Sequence, residues 1–174
     1  MVKILVCGDV EGRYAETFKR VAKLDKKAGP FDALFCVGAF YGDDKSVPAA
    51  PIPTYILDGE AGEVAENVTA LGSCGATTIE ERKGGAGAKH LSVAFVADEG
   101  SIKPLEDACA TAGFMGVDVL LSCEWPRGVD VGVADAEVEQ LAECGVRVNA
   151  AGTDRIAECA KMCRPRYHFA GTRN

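Results

Sequence analysis

Short apolar runs that stop at a glycine constrain the fold of this chain most. The first run, residues 3–7, stops at Gly8, and a second run, residues 33–37, stops at Gly38. Between them, apolar residues recur at helical spacing, with basic residues on the other face, until Gly29 and a following proline. This order predicts a strand, a helix and a second strand, in which the two strands are parallel and joined by a right-handed crossover.

The same pattern continues to the end of the chain and predicts one α/β domain over residues 1–174. Further strands are predicted at residues 54–57, 68–71, 91–96, 117–121 and 167–170. Further helices are predicted at residues 105–112, 136–144 and 154–162. The tract KGGAGAK, residues 83–89, predicts a hairpin or a mobile loop. We find no internal repeat and no linker that would divide the chain.

The composition is that of an ordinary globular protein. Of the 174 residues, 48% are hydrophobic and 26% are charged, which is typical of a folded domain. The net charge of −7 argues against non-specific binding of nucleic acid over the whole surface, although it is compatible with a local basic patch. No apolar stretch is long enough to span a bilayer, so we expect no membrane partner.

The eight cysteines predict free thiols rather than disulfides or a zinc site. No two of them have CxxC spacing, the spacing of zinc ribbons. Cys7 and Cys36 lie inside predicted strands, where a free cysteine packs as a small hydrophobic residue. Because disulfides are rare in reducing compartments, free thiols favour a cytosolic or nuclear protein.

Five predicted strands end in short polar turns, which are GDVEG, GAFYG, DGEAG, SCEWP and AGTRN. In α/β sheets, the loops after the carboxyl ends of the strands converge on one edge, where ligands usually bind. We therefore expect any functional site at this edge.

Six segments around these turns resemble a known family. In chain order they are KILVCGDVEGRY, KKAGPFDALFCVGAFYG, APIPTYIL, ENVTALG, GVDVLLSCEWPRGV and RPRYHFAG. They resemble the CwfJ-type (Cwf-nineteen-like) splicing factors, which are related to the lariat debranching enzyme and to calcineurin-like metallophosphoesterases. The resemblance covers nearly the whole chain, is weakest at residues 72–91 and 132–160, and indicates a shortened segment around residues 91–103. It implies a metallophosphoesterase-like α/β sandwich, with two packed β-sheets flanked by helices.

The resemblance also implies where the metal ligands of an active relative would lie, and most of these positions are changed. Asp9 matches the aspartate of the first turn, Glu11 replaces a histidine, and Ala39 replaces the bridging aspartate. The other degenerate positions are Glu60, Ala61, Cys123, Thr172 and Asn174. A two-metal centre needs a bridging carboxylate and several nitrogen ligands. We therefore expect no catalytic residue, no bound metal and no cofactor.

A divergent metal-dependent phosphodiesterase is the alternative. Asp9, Glu11, Asp58, Glu60 and Cys123 all follow predicted strands and can form an acidic pocket for a hard cation. Nucleotide binding is not favoured, because neither glycine-rich tract has the spacing of a phosphate loop.

Basic residues are the candidate contacts to phosphate or to a partner. We select Arg127, Lys161, Arg164 and Arg166. The planar guanidinium of arginine suits RNA phosphate or an acidic protein surface. The alternative is that the group covers a solvated helix face and a strand edge.

The tryptophan and the two histidines near the strands each have a predicted environment of their own. Trp125 either packs after its strand or anchors a partner, which its burial decides. We expect His168 to be packed or hydrogen-bonded in the last strand, and His90 to lie on the surface at a strand start.

The resemblance implies a non-catalytic adaptor or scaffold in pre-mRNA splicing and intron-lariat turnover. The expected partners are splicing-complex proteins, including the lariat debranching enzyme, and RNA contact is a further expectation. The expected location is the nucleus, with the cytoplasm as a second compartment. The chain stops within the fifth turn, so we expect either an excised N-terminal domain or a cut-down relative, without the C-terminal regions of the family.

Overall fold

The computed structural model describes residues 1–58, 63–82, 88–97, 100–143 and 152–171, except for the side chains of residues 141 and 142. In chain order the elements are β1 (Ile4–Gly8), α1 (Tyr14–Ala28), β2 (Ala33–Val37), β3 (Ser46–Val47), β4 (Thr54–Leu57), β5 (Glu63–Val64), β6 (Val68–Ala70), β7 (Cys74–Glu80), β8 (His90–Val96), α2 (Lys103–Cys109), β9 (Val119–Ser122), α3 (Asp135–Glu143), α4 (Asp154–Cys163) and β10 (Tyr167–Ala170).

The first sheet is entirely parallel and has the order β1-β2-β4-β6. The predicted parallel pairing of β1 with β2 is therefore confirmed. Helix α1 joins them and covers the outer face of the sheet with Tyr14, Phe18 and Val21, which pack against Leu34 and Ile56. These helix residues lie three or four positions apart, so one face of α1 is buried.

The second sheet is mixed and has the order β10-β9-β8-β7. Strands β8, β9 and β10 are parallel, whereas β7 and β8 are antiparallel. Leu105 of α2 and Ile156 of α4 pack with Leu120 on the outer face of this sheet. A separate two-stranded sheet pairs β3 with β5 in parallel.

Side chains from both four-stranded sheets meet in one buried cluster. Phe35 and Leu57 come from the first sheet, and Val93, Val119 and Leu121 come from the second. The protein is thus a mixed α/β fold in which two packed sheets lie between flanking helices. This arrangement agrees with the predicted layers, while the more specific metallophosphoesterase relationship stays a prediction.

Most strand predictions are confirmed, and the errors have local causes. The strands at 33–37, 54–57 and 167–170 are observed with those bounds. The helix predicted at 105–112 is observed with shifted bounds, as α2 over Lys103–Cys109. It begins earlier than predicted, since a proline in the first turn lacks only an N–H that has no partner within the helix. The prediction missed β7, whose small and polar residues lack the long apolar run of a buried strand.

The structure shows the surroundings of the cysteines, of His90 and of the glycine-rich tract. The seven cysteines within the described ranges are free thiols, and Cys144 lies outside these ranges. His90 is exposed at the start of β8, as predicted. The tract 83–89 connects two antiparallel strands, but residues 83–87 are outside the described ranges. Among described residues, no helix combines the length and the apolar character that a membrane crossing requires.

Candidate functional site

The carboxyl ends of the parallel strands bring the predicted turns together, at an edge that we call the rim. The rim contains Asp9 after β1, Ala39 after β2, Asp58 after β4, Cys123 after β9 and Gly171 after β10. Each of these residues is joined by a hydrogen bond or a close backbone contact to another of these turns or to the strand end before it. Glu60, Ala61, Thr172 and Asn174 lie outside the described residues.

Arg13 makes three hydrogen bonds to the first turn. Its guanidinium donates to the backbone carbonyls of Asp9 and Val10, at 3.1 and 3.2 Å, and to the Glu11 carboxylate at 3.0 Å. Asp9 and Glu11 both have positive φ angles, of 46° and 49°. The Glu11 side chain, which is 52% exposed, is therefore directed to Arg13 at the surface of the turn.

The first and second turns are joined by backbone and side-chain hydrogen bonds. The Asp9 Oδ1 atom accepts from the backbone N–H of Ala39 at 3.0 Å, and the N–H of Glu11 donates to the Ala39 carbonyl at 3.1 Å. Gly38 precedes this contact with a φ of 96°, and a Cβ there would lie 2.5 Å from Asp9 Oδ1. A glycine is therefore required for the Asp9 carboxylate to reach the second turn.

The Asp58 carboxylate, which follows β4, also binds the loop after β2. The Asp58 Oδ2 atom accepts from the backbone N–H groups of Phe40 and Tyr41, at 2.9 and 3.0 Å. Backbone N–H groups that are removed from water need such partners. The loop after β2 is thus bound by carboxylates from both neighbouring strands.

The second sheet contributes Cys123 and Gly171 to the rim. The buried Cys123 thiol donates to the Leu57 carbonyl, with 3.4 Å between sulfur and oxygen. A Cβ on Gly171 would lie 2.7 Å from both the Cα and the N atom of Gly38, so the two backbones are in direct contact. The fifth turn therefore packs against the second turn, where a side chain would not fit.

His168 is hydrogen-bonded inside the second sheet, as predicted. Its Nε2 atom lies 2.7 Å from the Ser122 Oγ atom, and the Ser122 hydroxyl donates to the Glu124 carbonyl at 2.7 Å. A serine hydroxyl has one proton, so Nε2 must carry the proton that it shares with Ser122. Burial lowers the pKa of His168, which favours the neutral imidazole over its protonated form.

The two rim carboxylates bind the backbone of a neighbouring turn. Asp9 and Asp58 each use a carboxylate oxygen on backbone N–H groups. Throughout the described part of the chain, no group of three or more histidine, cysteine, aspartate or glutamate residues has the arrangement of a metal site. The predicted degenerate centre stays a prediction, since half of its positions are outside the described ranges.

The four predicted basic contacts do not lie together. Arg127 follows β9 at the rim and pairs with Asp154 at the start of α4, with 3.0 Å between Nε and Oδ1. The other three residues lie at the end of α4 and before β10, which is the opposite end of the sheet, and they are Lys161, Arg164 and Arg166. Their proposed contact with phosphate stays a prediction, and it would require a surface separate from the rim.

Two of the three cations at the opposite end have partners within the domain. Arg164 donates to the Phe114 carbonyl at 2.8 Å and lies over its ring. Arg166 is 3.6 Å from Asp118, the carboxyl of which has a lowered pKa, mainly because the backbone N–H of Ser92 donates to it. These contacts agree with the alternative of a solvated helix face and strand edge, since β10 is an edge strand.

Trp125, which the sequence predicts either to pack after its strand or to anchor a partner, is partly buried in the structure. Its ring is half-buried, its carbonyl accepts from the backbone N–H of Thr153 at 2.9 Å, and Pro126 bridges to Thr153. The buried indole nitrogen has no hydrogen-bond partner among the described residues. The backbone of Trp125 thus joins the turn after β9 to the start of α4, and its half-buried ring is compatible with either interpretation.

The sequence reasoning missed two roles at the rim. Asp58 was considered only as part of an acidic pocket, yet it binds two N–H groups of another turn. The role of Arg13 was not predicted at all, although its position directly after GDVEG was a usable signal. Both roles depend on contacts across the fold.

Comparison with known proteins finds relatives over nearly the whole chain. CWF19-like protein 1 of Homo sapiens is 31% identical over 206 aligned positions, covering 97% of this chain and 35% of that protein. The CWF19-like protein 1 homolog of Caenorhabditis elegans is 32% identical, covering 97% of this chain and 34% of that protein. This chain is a homologue of the CWF19-like proteins.

The relatives include a plant protein with a different name. Zinc finger CCCH domain-containing protein 64 of Arabidopsis thaliana is 30% identical, covering 98% of this chain and 34% of that protein. The chain thus spans about a third of the length of the CWF19-like relatives and of this plant protein. The 206 aligned positions with the human protein exceed the 174 residues of this chain, so that protein has segments which this chain lacks. No protein-family model matches the chain.

Proposed function

We propose that this CWF19-like chain is a non-catalytic adaptor domain in pre-mRNA splicing and intron-lariat turnover. In this proposal the fold is a metallophosphoesterase-like sandwich whose metal centre has degenerated into a rim that binds proteins. The domain acts in the nucleus, within complexes that include the lariat debranching enzyme. Its similarity to CWF19-like proteins over 97% of its length supports the family assignment.

The observation that carries the proposal is the use of the two rim carboxylates. A carboxylate that coordinates a cation directs its lone pairs at the ion. Here Asp9 and Asp58 direct oxygens at the backbone N–H groups of Ala39, Phe40 and Tyr41. These hydrogen bonds support a structural role for both carboxylates, in which they fix the shape of the rim.

An exposed apolar surface beside the rim supports a protein partner. Residues 127–133, which we call the valine loop, follow the SCEWP turn directly. Val131 is 84% exposed, and Val129 and Val133 are also exposed. Neighbouring exposed apolar side chains favour protein association over RNA contact, because an RNA surface is recognised mainly through phosphate and base stacking. The exposed Arg127 adds a charged group at the edge of this surface.

Calorimetric titration with Mn²⁺ tests the non-catalytic part of the proposal. The reduced wild-type domain and the Asp9→Ala variant should both give only heats of dilution, and neither should hydrolyse a phosphodiester such as bis(p-nitrophenyl) phosphate. Micromolar binding in the wild type that Asp9→Ala abolishes would overturn the proposal. It would instead support the divergent phosphodiesterase.

Direct binding to purified lariat debranching enzyme tests the adaptor part. We expect binding that Val131→Asp weakens by about tenfold, because a charge would be buried in an apolar contact. Met115→Asp is the matched control, since Met115 is 87% exposed and precedes β9 at the opposite end of the sheet. No binding would exclude this partner, and equal loss in both variants would exclude the valine loop as the surface.

A further inference from the structure

Two cysteines face each other across the first pair of strands. Cys7 of β1 is in register with Cys36 of β2, and their sulfur atoms lie 3.5 Å apart. Cys36 is 1% exposed, whereas Cys7 is only partly buried. The pair therefore has one member near solvent and one in the core.

Cys7 can be reached from outside the domain. Strand β1 is at the edge of its sheet, and a groove of about 450 Å³ lies between it and α1. Cys7, Leu5, Arg13 and Arg20 are among the residues that line this groove. A small oxidant can therefore approach Cys7 beside two guanidinium-bearing residues, whereas Cys36 lies behind Cys7 in the core.

The two thiols also differ in acidity. The hydrogen bond between the two sulfur atoms is the main cause of a lowered pKa of Cys7. The same interaction, together with burial, raises the pKa of Cys36. The thiolate is the reactive form of cysteine, so the more accessible sulfur is also the better nucleophile.

We propose that Cys7 and Cys36 form a peroxide-sensitive dithiol, in which Cys7 is oxidised first and Cys36 then closes a disulfide between β1 and β2. The neighbouring turns after these strands are the ones that the Asp9–Ala39 hydrogen bond joins. Oxidation would thus add a covalent link at the base of the rim. This proposal does not depend on the adaptor function.

The oxidant is hydrogen peroxide, which reacts in two steps. The Cys7 thiolate attacks one peroxide oxygen, the O–O bond breaks, and the leaving hydroxide takes up a proton to become water, which leaves a sulfenic acid on Cys7. The Cys36 sulfur then attacks the Cys7 sulfur, the S–O bond breaks, and hydroxide leaves with the Cys36 proton as a second water. Peroxide is reduced to two waters while two thiols become one disulfide. The sulfurs must approach from 3.5 Å to about 2 Å, which adjacent strands in register allow.

Mass spectrometry of the wild-type protein is the primary test. The reduced protein is treated with hydrogen peroxide and its intact mass is measured, after which the remaining thiols are alkylated and the proteolytic peptides are measured. We expect a loss of about 2 Da and a crosslinked peptide pair that contains Cys7 and Cys36. A wild-type protein that keeps both of these thiols while free glutathione in the same tube is oxidised would overturn the proposal.

Serine variants separate the two steps. Cys36→Ser should stop at the sulfenic acid, with a gain of about 16 Da on Cys7 that dimedone traps. Cys7→Ser should slow oxidation of Cys36 by about tenfold, because the accessible thiolate is gone. Equal oxidation rates of Cys36 in Cys7→Ser and in the wild type would contradict the proposed order. If either variant fails to fold, the wild-type peptide map decides alone.

A second close pair provides the matched control. Cys109 and Cys163 have sulfur atoms 3.8 Å apart, and burial is the main cause of the raised pKa of Cys163. Cys109→Ser should leave the rate of the Cys7–Cys36 crosslink unchanged. A crosslink found only between Cys109 and Cys163 would show that proximity alone determines oxidation, and would overturn the proposal.

Discussion

The Asp9 carboxylate accepts a hydrogen bond from the backbone N–H of Ala39 at 3.0 Å, which joins the turns after the first two parallel strands. The family resemblance implies that both positions belong to a metal centre. Here a carboxylate at one position satisfies a backbone donor at the other. This contact fixes the position of the first turn against the second.

Removing the second rim carboxylate should destabilise the domain. Asp58→Ala leaves the N–H groups of Phe40 and Tyr41 without their acceptor, which should lower the free energy of unfolding by about 2 kcal/mol in urea denaturation. Asp43→Ala is the control, because Asp43 is exposed, and it should change the value by less than about 0.5 kcal/mol. Equal effects of the two substitutions would show that the Asp58 contacts contribute nothing.

The close approach of the second and fifth turns should not tolerate a methyl group. Gly171→Ala places a Cβ 2.7 Å from the Gly38 backbone, so the turns must separate and thermal unfolding should shift down by several degrees, corresponding to about 2 kcal/mol. Gly72→Ala is the matched control, because no atom lies within 4 Å of its Cβ position. A wild-type melting temperature for Gly171→Ala would contradict the contact.

Burial of His168 should make stability depend on pH. Its pKa is lowered in the folded state, so below the unfolded-state value of about 6.5 the unfolded chain binds a proton that the folded chain does not. Stability from this residue is complete above that pH and is lost as the pH falls below it. His168→Gln, which keeps a donor for Ser122, should reduce the difference in unfolding free energy between pH 7.5 and pH 5.5.

The control for this pH dependence is the other histidine. His90→Gln should keep the wild-type difference between the two pH values, because His90 is exposed. If His168→Gln also keeps that difference, the buried imidazole is not its cause.

Packing of the two sheets should depend strongly on Phe35. This side chain is fully buried between the sheets and lies 5.6 Å from the Tyr55 ring. Phe35→Ala should lower the free energy of unfolding by about 4 kcal/mol, since it leaves a cavity. Tyr167→Ala removes a strand aromatic that is 65% exposed and should cost less than about 1 kcal/mol. Comparable losses would mean that Phe35 is not at the centre of the core.

Local sequence patterns were sufficient for the elements with strong signals. Strand β2 was predicted with its observed bounds, because five apolar residues in a row lie on both buried faces of a parallel sheet. Helix α1 was predicted from its amphipathic spacing and from the Gly29–Pro30 stop. Strand β7 was missed, because its stability comes from antiparallel pairing with β8 rather than from its own residues.

The sequence by itself also determined which residues follow the strands, and hence that Asp9, Ala39, Asp58 and Cys123 would share one edge. Only the tertiary structure decided that the carboxylates bind backbone N–H groups, that Arg127 lies apart from Arg164 and Arg166, and that Cys7 faces Cys36. The physical reason is separation along the sequence. Helix and strand propensity and hydrophobic periodicity depend on residues that are only a few positions apart. Hydrogen bonds and sulfur contacts between turns instead depend on strand order and register, which only the folded chain establishes.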